Sequence, residues 1–220
     1  MKDHILIKGP NVNPKSGTVK QLIVFLHGWG SNGDDLIQLS PFFANEFSNT
    51  LFLSPNGPEE CPQNPLGGRQ WFGLDFLPDG SINRTKTPQK AENAANFINI
   101  FLDHWQDKFA VSDHDTFLIG FSQGSMMALE VGTKRQVGGL VCYSGSFINT
   151  SETLSYKPNI MLIHGDIDEV IPIQNMISAK NKLTDLGANV TTFKCIGVGH
   201  SIDEIGINKG IEFIKKCKTE

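Results

Sequence analysis

Short apolar segments alternate with longer amphipathic ones from Gln21 to the last residues of the chain. Five of the six apolar segments are near-continuous runs of Val, Ile, Leu and Phe, as is typical of strands that are covered on both faces. This alternation predicts a mostly parallel β-sheet with helices on both sides. The predicted strands span residues 21–26, 50–55, 116–121, 138–144, 159–165 and 189–195.

Apolar residues at helical spacing fill the intervals between these strands. Between Ala94 and Phe109 they lie along one face of a helix, and Thr87 and Pro88 predict its N-cap and its first turn. A second helix is predicted directly after Phe121.

Two further helices are predicted near the C-terminus. The first spans residues 176–186, and Gly187 occupies the position where a glycine commonly ends a helix. The second spans residues 201–217, where Ser201 and Glu204 form an S-x-x-E capping box.

Residues 55–80 resist assignment to a helix or a strand. The segment holds five prolines and five glycines without a usable period, and it exceeds the about 12–15 residues usual for a loop that has no function. No repeat or linker divides the chain, so we expect a single domain over residues 1–220 without a large lid domain.

Composition and charge narrow the classes of function. The chain of 220 residues is 39% hydrophobic, and its 19 Lys and Arg against 23 Asp and Glu give a formal net charge of −4. Because there is no broad basic field, binding to nucleic acid is not expected. The longest apolar run, Leu22 to Leu26, is far shorter than the about 20 residues that cross a bilayer, so no transmembrane segment is expected.

The N-terminus and the cysteines bear on the cellular compartment and on cofactors. The opening MKDHILIKGPN lacks the run of about 7–15 apolar residues that a signal peptide needs, so secretion is not indicated. The 4 cysteines form no CxxC pair, and no His lies at metal-ligand spacing from them. We therefore expect a cytoplasmic protein with no metal and no cofactor.

Ser122 is the candidate nucleophile. It lies at the centre of GFSQG, between the predicted strand ending at Phe121 and the predicted helix that begins at Gln123. G-x-S-x-G in this context is typical of a nucleophile elbow, a strained turn that lifts the serine hydroxyl to the carboxyl edge of the sheet. The five-residue string alone also arises by chance in a chain with 22 glycines, so the prediction depends on the strand and the helix.

A serine hydroxyl needs a base and a group that orients the base. Asp168 follows the predicted strand 159–165, and His200 follows the predicted strand 189–195, so both are expected at the same edge of the sheet as Ser122. Asp166 and Glu169 compete with Asp168 for the orienting role. Asp166 directly follows the strand, where its simpler role is to hold the turn.

The segment HGWG follows the first predicted strand, at the position from which such folds supply one oxyanion-hole N–H. The backbone N–H groups of Trp29 and Gln123 are the two candidate donors. His27, which opens the segment, is expected to support the loop rather than to transfer a proton. Taken alone, HGWG is more typical of a glycine-rich turn at the end of a strand than of an oxyanion hole.

Four segments together resemble a known family. LHGWGSNGDDL, GFSQGSMMAL, HGDIDEVIP and GVGHS are similar, in order and spacing, to the carboxylesterase/phospholipase group of the α/β-hydrolases, which includes acyl-protein thioesterases. The resemblance implies an α/β-hydrolase fold and a serine hydrolase of carboxylic esters or thioesters. Ser122, Asp168 and His200 match the family triad, and Trp29 and Gln123 match its oxyanion donors.

Two features depart from the family pattern. Trp29 stands where the family commonly has a small or aliphatic residue, and the loop 55–80 matches only through Trp71 and Phe72. Trp71, Phe72 and Phe147 are candidate walls of an acyl pocket, and ordinary core aromatics are the competing interpretation.

The sequence thus predicts an acyl-enzyme mechanism in which Ser122 attacks, His200 relays the proton and Asp168 orients His200. Expected substrates are small-molecule or lipid esters, with S-acylated proteins as a further class. Two alternatives stay open: a catalytically silent binding protein of the same fold, and a small peptidase. A homodimer is expected because two-fold oligomers are the commonest kind.

Overall fold

The computed structural model describes residues 6–80 and 82–218. Within them the strands are β1 (Asn11–Val12), β2 (Gln21–Leu26), β3 (Thr50–Leu53), β4 (Glu59–Glu60), β5 (Arg69–Gln70), β6 (Asp75–Phe76), β7 (Ile82–Asn83), β8 (Thr116–Phe121), β9 (Gly139–Tyr143), β10 (Asn159–Gly165) and β11 (Asn189–Cys195). The α-helices of the same residues are α1 (Gly33–Leu36), α2 (Ser40–Ala44), α3 (Thr87–Phe109), α4 (Gln123–Gly132), α5 (Gln174–Asp185) and α6 (Glu204–Cys217).

Seven strands form the central sheet in the order β1-β3-β2-β8-β9-β10-β11. The six predicted strands are all present and pair in parallel with their neighbours, while the short edge strand β1 runs antiparallel to β3. The prediction of a mostly parallel sheet is therefore confirmed. All residues of β2, at the centre of the fold, are buried, as its continuous apolar sequence predicts.

Helices cover both faces of the sheet, and alternate residues of each strand point to opposite sides. On one face, Leu22 and Val24 of β2 pack with α3, α4 and α5. On the other face, Ile23 and Phe25 pack with α1, α2 and α6. This two-sided burial explains why the central strands lack the alternation of an exposed sheet.

Several element boundaries differ from the prediction. The N-cap of α6 is Asp203, whose carboxylate accepts the N–H of Gly206, so the predicted capping box at Ser201 does not form. A carboxylate at this position also interacts favourably with the positive end of the helix dipole. Helix α3 begins at Thr87 itself and has no side-chain cap at Lys86.

The segment 55–80 is more ordered than predicted. Strands β4 and β5 pair antiparallel, and so do β6 and β7, so the second hairpin continues past the predicted end of the loop to Asn83. Helices α1 and α2 and strand β1 were also not predicted, because elements of two to five residues carry too little hydrophobic periodicity. No helix in the described part of the chain is long and apolar enough to span a membrane.

Candidate active site

Ser122 lies at the sharp turn between β8 and α4, with φ 54° and ψ −114°. A non-glycine residue in this region costs about 1–3 kcal/mol, which the surrounding structure must offset. The flanking glycines let the backbones approach, since a Cβ on Gly124 would lie 1.8 Å from the Leu26 carbonyl oxygen and one on Gly120 2.3 Å from the Gly124 carbonyl oxygen. The sequence GFSQG thus folds locally into an elbow that exposes the serine hydroxyl.

The structure brings Ser122, His200 and Asp168 together from three separate loops. His200 Nε2 lies 3.0 Å from Ser122 Oγ, and His200 Nδ1 lies 2.8 Å from Asp168 Oδ2. Because an ionised carboxylate only accepts hydrogen bonds, the network assigns the proton to Nδ1 and leaves Nε2 free to accept from the serine hydroxyl. This is the geometry in which a serine can lose its proton to a histidine.

The Asp168 carboxylate is buried and fully engaged. Its Oδ1 accepts the backbone N–H groups of Val170 at 3.0 Å and Ile171 at 2.8 Å. Burial by itself raises the pKa of Asp168, but the hydrogen bonds from His200 and the Ile171 N–H outweigh it, and the pKa is lowered below its usual value. Asp168 therefore stays ionised beside His200 at neutral pH.

The two acids that competed with Asp168, namely Asp166 and Glu169, have other positions. Asp166 Oδ1 accepts the N–H of Gly197 at 2.7 Å and so holds the loop that leads to His200. Glu169 is exposed. Of the three acids near this strand end, it is Asp168 that meets His200.

His164 is a buried neighbour of this network that no sequence motif revealed. Its Nε2 donates to the Ile171 carbonyl oxygen at 2.7 Å and lies 3.4 Å from Asp168 Oδ2. The carbonyl and the carboxylate both accept, which assigns the proton of His164 to Nε2. The spacing of four residues to Asp168, across the end of the strand, was the available signal.

The two predicted oxyanion donors, Trp29 and Gln123, belong to segments that pass close to the serine. Gln123 is the first residue of α4, where backbone N–H groups have no acceptor within the helix. The HGWG backbone passes close to Ser122, since a Cβ on Gly28 would lie 3.4 Å from Ser122 Cβ. Trp29, the next residue, lines the cavity beside the serine.

His27 supports this loop rather than facing the serine. Its Nε2 accepts the N–H of Gly57 at 2.9 Å, and its Nδ1 lies 2.8 Å from the Gly28 carbonyl oxygen. Burial lowers the pKa of His27 to about 4, so the ring is neutral at physiological pH. A neutral His27 with its proton on Nδ1 satisfies both contacts.

A mostly apolar cavity of about 290 Å³ opens beside Ser122. Its wall is built by the β6–β7 hairpin, by α4 and by the loops that carry Ile148 and His200. The lining residues are Trp29, Phe72, Leu74, Phe76, Ile82, Arg84, Thr87, Ser122, Gln123, Met126, Ile148, Val170, Ile171 and His200.

Only one of the three predicted pocket aromatics, Phe72, is found in this wall among the described residues. Trp71 is instead 1% exposed; its ring stacks on His27 at 5.2 Å, and its Nε1 donates to the His27 carbonyl oxygen at 2.8 Å. Phe147 packs against the core, while its neighbour Ile148 lines the cavity. In each of these two pairs, one residue packs in the core and its neighbour lines the cavity.

No cluster of three or more His, Cys, Asp or Glu side chains is placed to hold a metal within residues 6–80 and 82–218. Cys61, Cys142 and Cys195 are buried free thiols. Burial raises the pKa of Cys142 to about 12, so this thiol is protonated and inert as a nucleophile.

The sheet, the elbow and the Ser122–His200–Asp168 network together define an α/β-hydrolase. The family model described as Phospholipase/Carboxylesterase matches residues 7–218. The chain therefore belongs to the phospholipase/carboxylesterase family, which confirms the resemblance seen in the sequence. This membership supports an ester-cleaving hydrolase.

Individual relatives agree with the family match. The chain is 30% identical to Esterase YpfH of Escherichia coli (strain K12) over 214 residues, which cover 96% of this chain and 85% of that protein. It is 23% identical to Acyl-protein thioesterase 1 homolog 1 of Dictyostelium discoideum over 223 residues, which cover 96% of each. The crystal structure of esterase PE8 matches 97% of this chain and 100% of that chain, with a TM-score of 0.89 and 34% identity.

Proposed function

We propose that this protein is a serine hydrolase that cleaves carboxylic ester or thioester bonds of acyl substrates through an acyl-enzyme intermediate. The observation that carries the proposal is the hydrogen-bonded series from Ser122 to His200 to Asp168, with distances of 3.0 and 2.8 Å. Family membership supports the ester class, and the names of relatives include both esterase and acyl-protein thioesterase.

In the first half of the reaction, Ser122 Oγ attacks the substrate carbonyl carbon while its proton passes to His200 Nε2. The ionised Asp168 stabilises the imidazolium that forms. The tetrahedral intermediate then collapses, and the alcohol or thiol leaves with the proton from His200. In the second half, a water molecule attacks the carbonyl carbon of the acyl-serine while His200 Nε2 takes its proton. The second tetrahedral intermediate collapses, His200 gives that proton to the leaving Ser122 Oγ, and the acid product departs with the enzyme restored.

Negative charge develops on the carbonyl oxygen in both halves. We assign its stabilisation to the backbone N–H groups of Trp29 and Gln123, aided by the positive end of the α4 dipole. Removing one such donor typically costs about 10²–10³ in turnover.

The apolar wall of the cavity indicates that the enzyme binds the acyl group of its substrate there. Phe72, Met126 and Ile148 contribute to its walls, and burying each additional CH₂ contributes about 0.8 kcal/mol. Arg84 lines the same cavity and is the one permanently charged side chain in that wall among the described residues. Small-molecule esters, lipid esters and S-acylated proteins all present such an acyl group.

The test is turnover of a series of p-nitrophenyl esters of increasing acyl length, with an S-acylated peptide and a p-nitroanilide alongside. We expect cleavage of esters or thioesters that is abolished in Ser122→Ala. Turnover that persists in Ser122→Ala would contradict the proposal. A complete lack of turnover and of fluorophosphonate labelling would favour a silent binding protein, and cleavage of the anilide alone would favour a peptidase.

We also infer that residues 1–220 act as one domain and that the protein forms a homodimer in the cytoplasm. The free thiols of Cys61, Cys142 and Cys195 support a reducing compartment. Size-exclusion chromatography with light scattering tests the dimer, and a single cooperative unfolding transition tests the single domain.

A further inference from the structure

The side chain of Gln123 makes contacts that the mechanism above does not use. Gln123 is 3% exposed, its Oε1 accepts the backbone N–H of Trp71 at 2.9 Å, and its Nε2 donates to the Phe72 carbonyl oxygen at 2.8 Å. Both ends of the amide are thus satisfied by the backbone of one segment. A buried amide held at both ends has a single orientation.

Residues 69–72, which we name the bridging segment, also bind the HGWG turn. The N–H of Gly30 donates to the Arg69 carbonyl oxygen at 2.9 Å, and the N–H of Arg69 donates to the Ser31 carbonyl oxygen at 2.7 Å. The indole Nε1 of Trp29 donates to Gln70 Oε1 at 2.8 Å. The bridging segment therefore fixes the backbone on the C-terminal side of Trp29 and the Trp29 side chain.

Trp71 connects the bridging segment to the other side of the same turn, through its hydrogen bond to the His27 carbonyl oxygen. The turn that carries Trp29 is therefore held before and after that residue by three consecutive residues, Arg69, Gln70 and Trp71. The side chain of Gln123, the residue that follows the nucleophile, in turn holds the backbone of Trp71 and Phe72.

We propose that the Gln123 side chain is a positioning residue that sets the location of the Trp29 N–H relative to Ser122 through the bridging segment. This inference rests on the proposed function, because it assigns Trp29 and Gln123 to the oxyanion hole. One residue then supplies a donor with its backbone and aligns the second donor with its side chain.

The proposal predicts a specific kinetic signature. The oxyanion exists only in the transition state and the tetrahedral intermediates, so misplacing a donor lowers kcat and leaves ground-state binding nearly unchanged. A misplacement of about 1 Å can cost on the order of 10² in rate. A purely structural role would lower stability without this selective loss.

The experiment compares Gln123→Met, which is similar in size but forms no such hydrogen bonds, with Gln106→Met as the matched control. Gln106 is also buried, in α3, and its side chain donates to Asp113 Oδ1 at 3.0 Å and to Thr116 Oγ1 at 2.9 Å. The readouts are kcat and KM for p-nitrophenyl butyrate, the Ki of a trifluoromethyl ketone that forms a tetrahedral adduct, and the melting temperature.

We expect Gln123→Met to lower kcat by about 10- to 100-fold, with KM changed by less than about threefold and with the ketone Ki raised in parallel. Gln106→Met should lower the melting temperature while keeping kcat and the ketone Ki. Gln123→Glu retains the acceptor for Trp71 but lacks the donor for Phe72, so its kcat and ketone Ki should lie between those of wild type and Gln123→Met. This second variant tests the inference if Gln123→Met does not fold.

Wild-type kcat and ketone affinity in a folded Gln123 variant would overturn the inference, and so would losses that match those of Gln106→Met. In either case an inactive Ser122→Ala would leave the proposed function standing. Activity that survives in Ser122→Ala would instead overturn the proposed function itself.

Discussion

His164 Nε2 lies 3.4 Å from Asp168 Oδ2, the same oxygen that His200 Nδ1 approaches at 2.8 Å. The carboxylate accepts hydrogen bonds from His200 and from the backbone N–H groups of Val170 and Ile171, whereas the Nε2 proton of His164 goes to the Ile171 carbonyl oxygen. Burial raises the pKa of Asp168, but the hydrogen bonds from His200 and the Ile171 N–H outweigh it, so the pKa of this buried carboxyl is lowered.

The lowered pKa of Asp168 predicts how stability depends on pH. Its folded pKa is below the unfolded value of 3.8, so the stabilisation by the ionised group is complete above that pH and is lost as pH falls through the folded pKa. We expect the difference in free energy of unfolding between wild type and Asp168→Asn to be constant at pH 6–8 and to shrink below about pH 4. Urea unfolding of both proteins at a series of pH values measures this difference in free energy. A difference that does not change with pH would contradict the lowered pKa of Asp168.

His164 is predicted to stabilise the fold more than it affects turnover. His164→Phe leaves the buried Ile171 carbonyl without its donor, which costs about 1–3 kcal/mol. Because Asp168 keeps its bonds to His200, Val170 and Ile171, we expect kcat to fall by less than about 10-fold. Urea unfolding and ester turnover test this, with the exposed His104→Phe as control; a stable but inactive His164→Phe would be the opposite result.

The cavity walls predict which substitutions change acyl selectivity. Met126→Ala enlarges the cavity, so it should shift the preferred p-nitrophenyl ester toward longer chains. Trp71→Phe removes the hydrogen bond to His27 but does not touch the cavity wall, so it should lower kcat and leave the chain-length preference unchanged. Profiles of kcat/KM against acyl length compare the two; a shifted profile in Trp71→Phe would mean that Trp71 contacts the acyl chain.

Arg84 predicts a preference for a negative charge on the substrate. Arg84→Gln should lower kcat/KM for p-nitrophenyl esters with a terminal carboxylate by about 3- to 10-fold, as expected for one partly solvated ion pair. Neutral esters of equal length should be unaffected, and raised salt should reduce the effect in wild type. Equal losses on neutral and anionic esters would show that Arg84 acts on the fold rather than on the charge.

The sequence predicted those parts of the fold in which a run of neighbouring residues shows whether an element is buried in the molecule. Near-continuous apolar runs located five of the six predicted strands, and the parallel sheet then placed Ser122, Asp168 and His200 at one edge. These three side chains meet because each of them follows the end of a parallel strand, either directly or within a few residues.

The cavity could not be predicted in the same way. Its outer wall depends on the pairing of Phe76 with Ile82 across a hairpin within a segment that has no hydrophobic period. A Trp-Phe pair does not reveal which of its members faces the core, so the sequence left both interpretations of Trp71 open. The hydrogen bonds from the Gln123 side chain join residues about 50 positions apart, so no local sequence pattern predicts them.

The most direct test of the central claim is to trap the acyl-enzyme. The protein is mixed with a p-nitrophenyl ester, quenched with acid within milliseconds, digested and analysed by mass spectrometry. We predict an acyl adduct on the peptide that contains Ser122, formed in step with the burst of p-nitrophenol and absent in Ser122→Ala. An adduct on another residue, or steady turnover without any adduct at Ser122, would contradict the account.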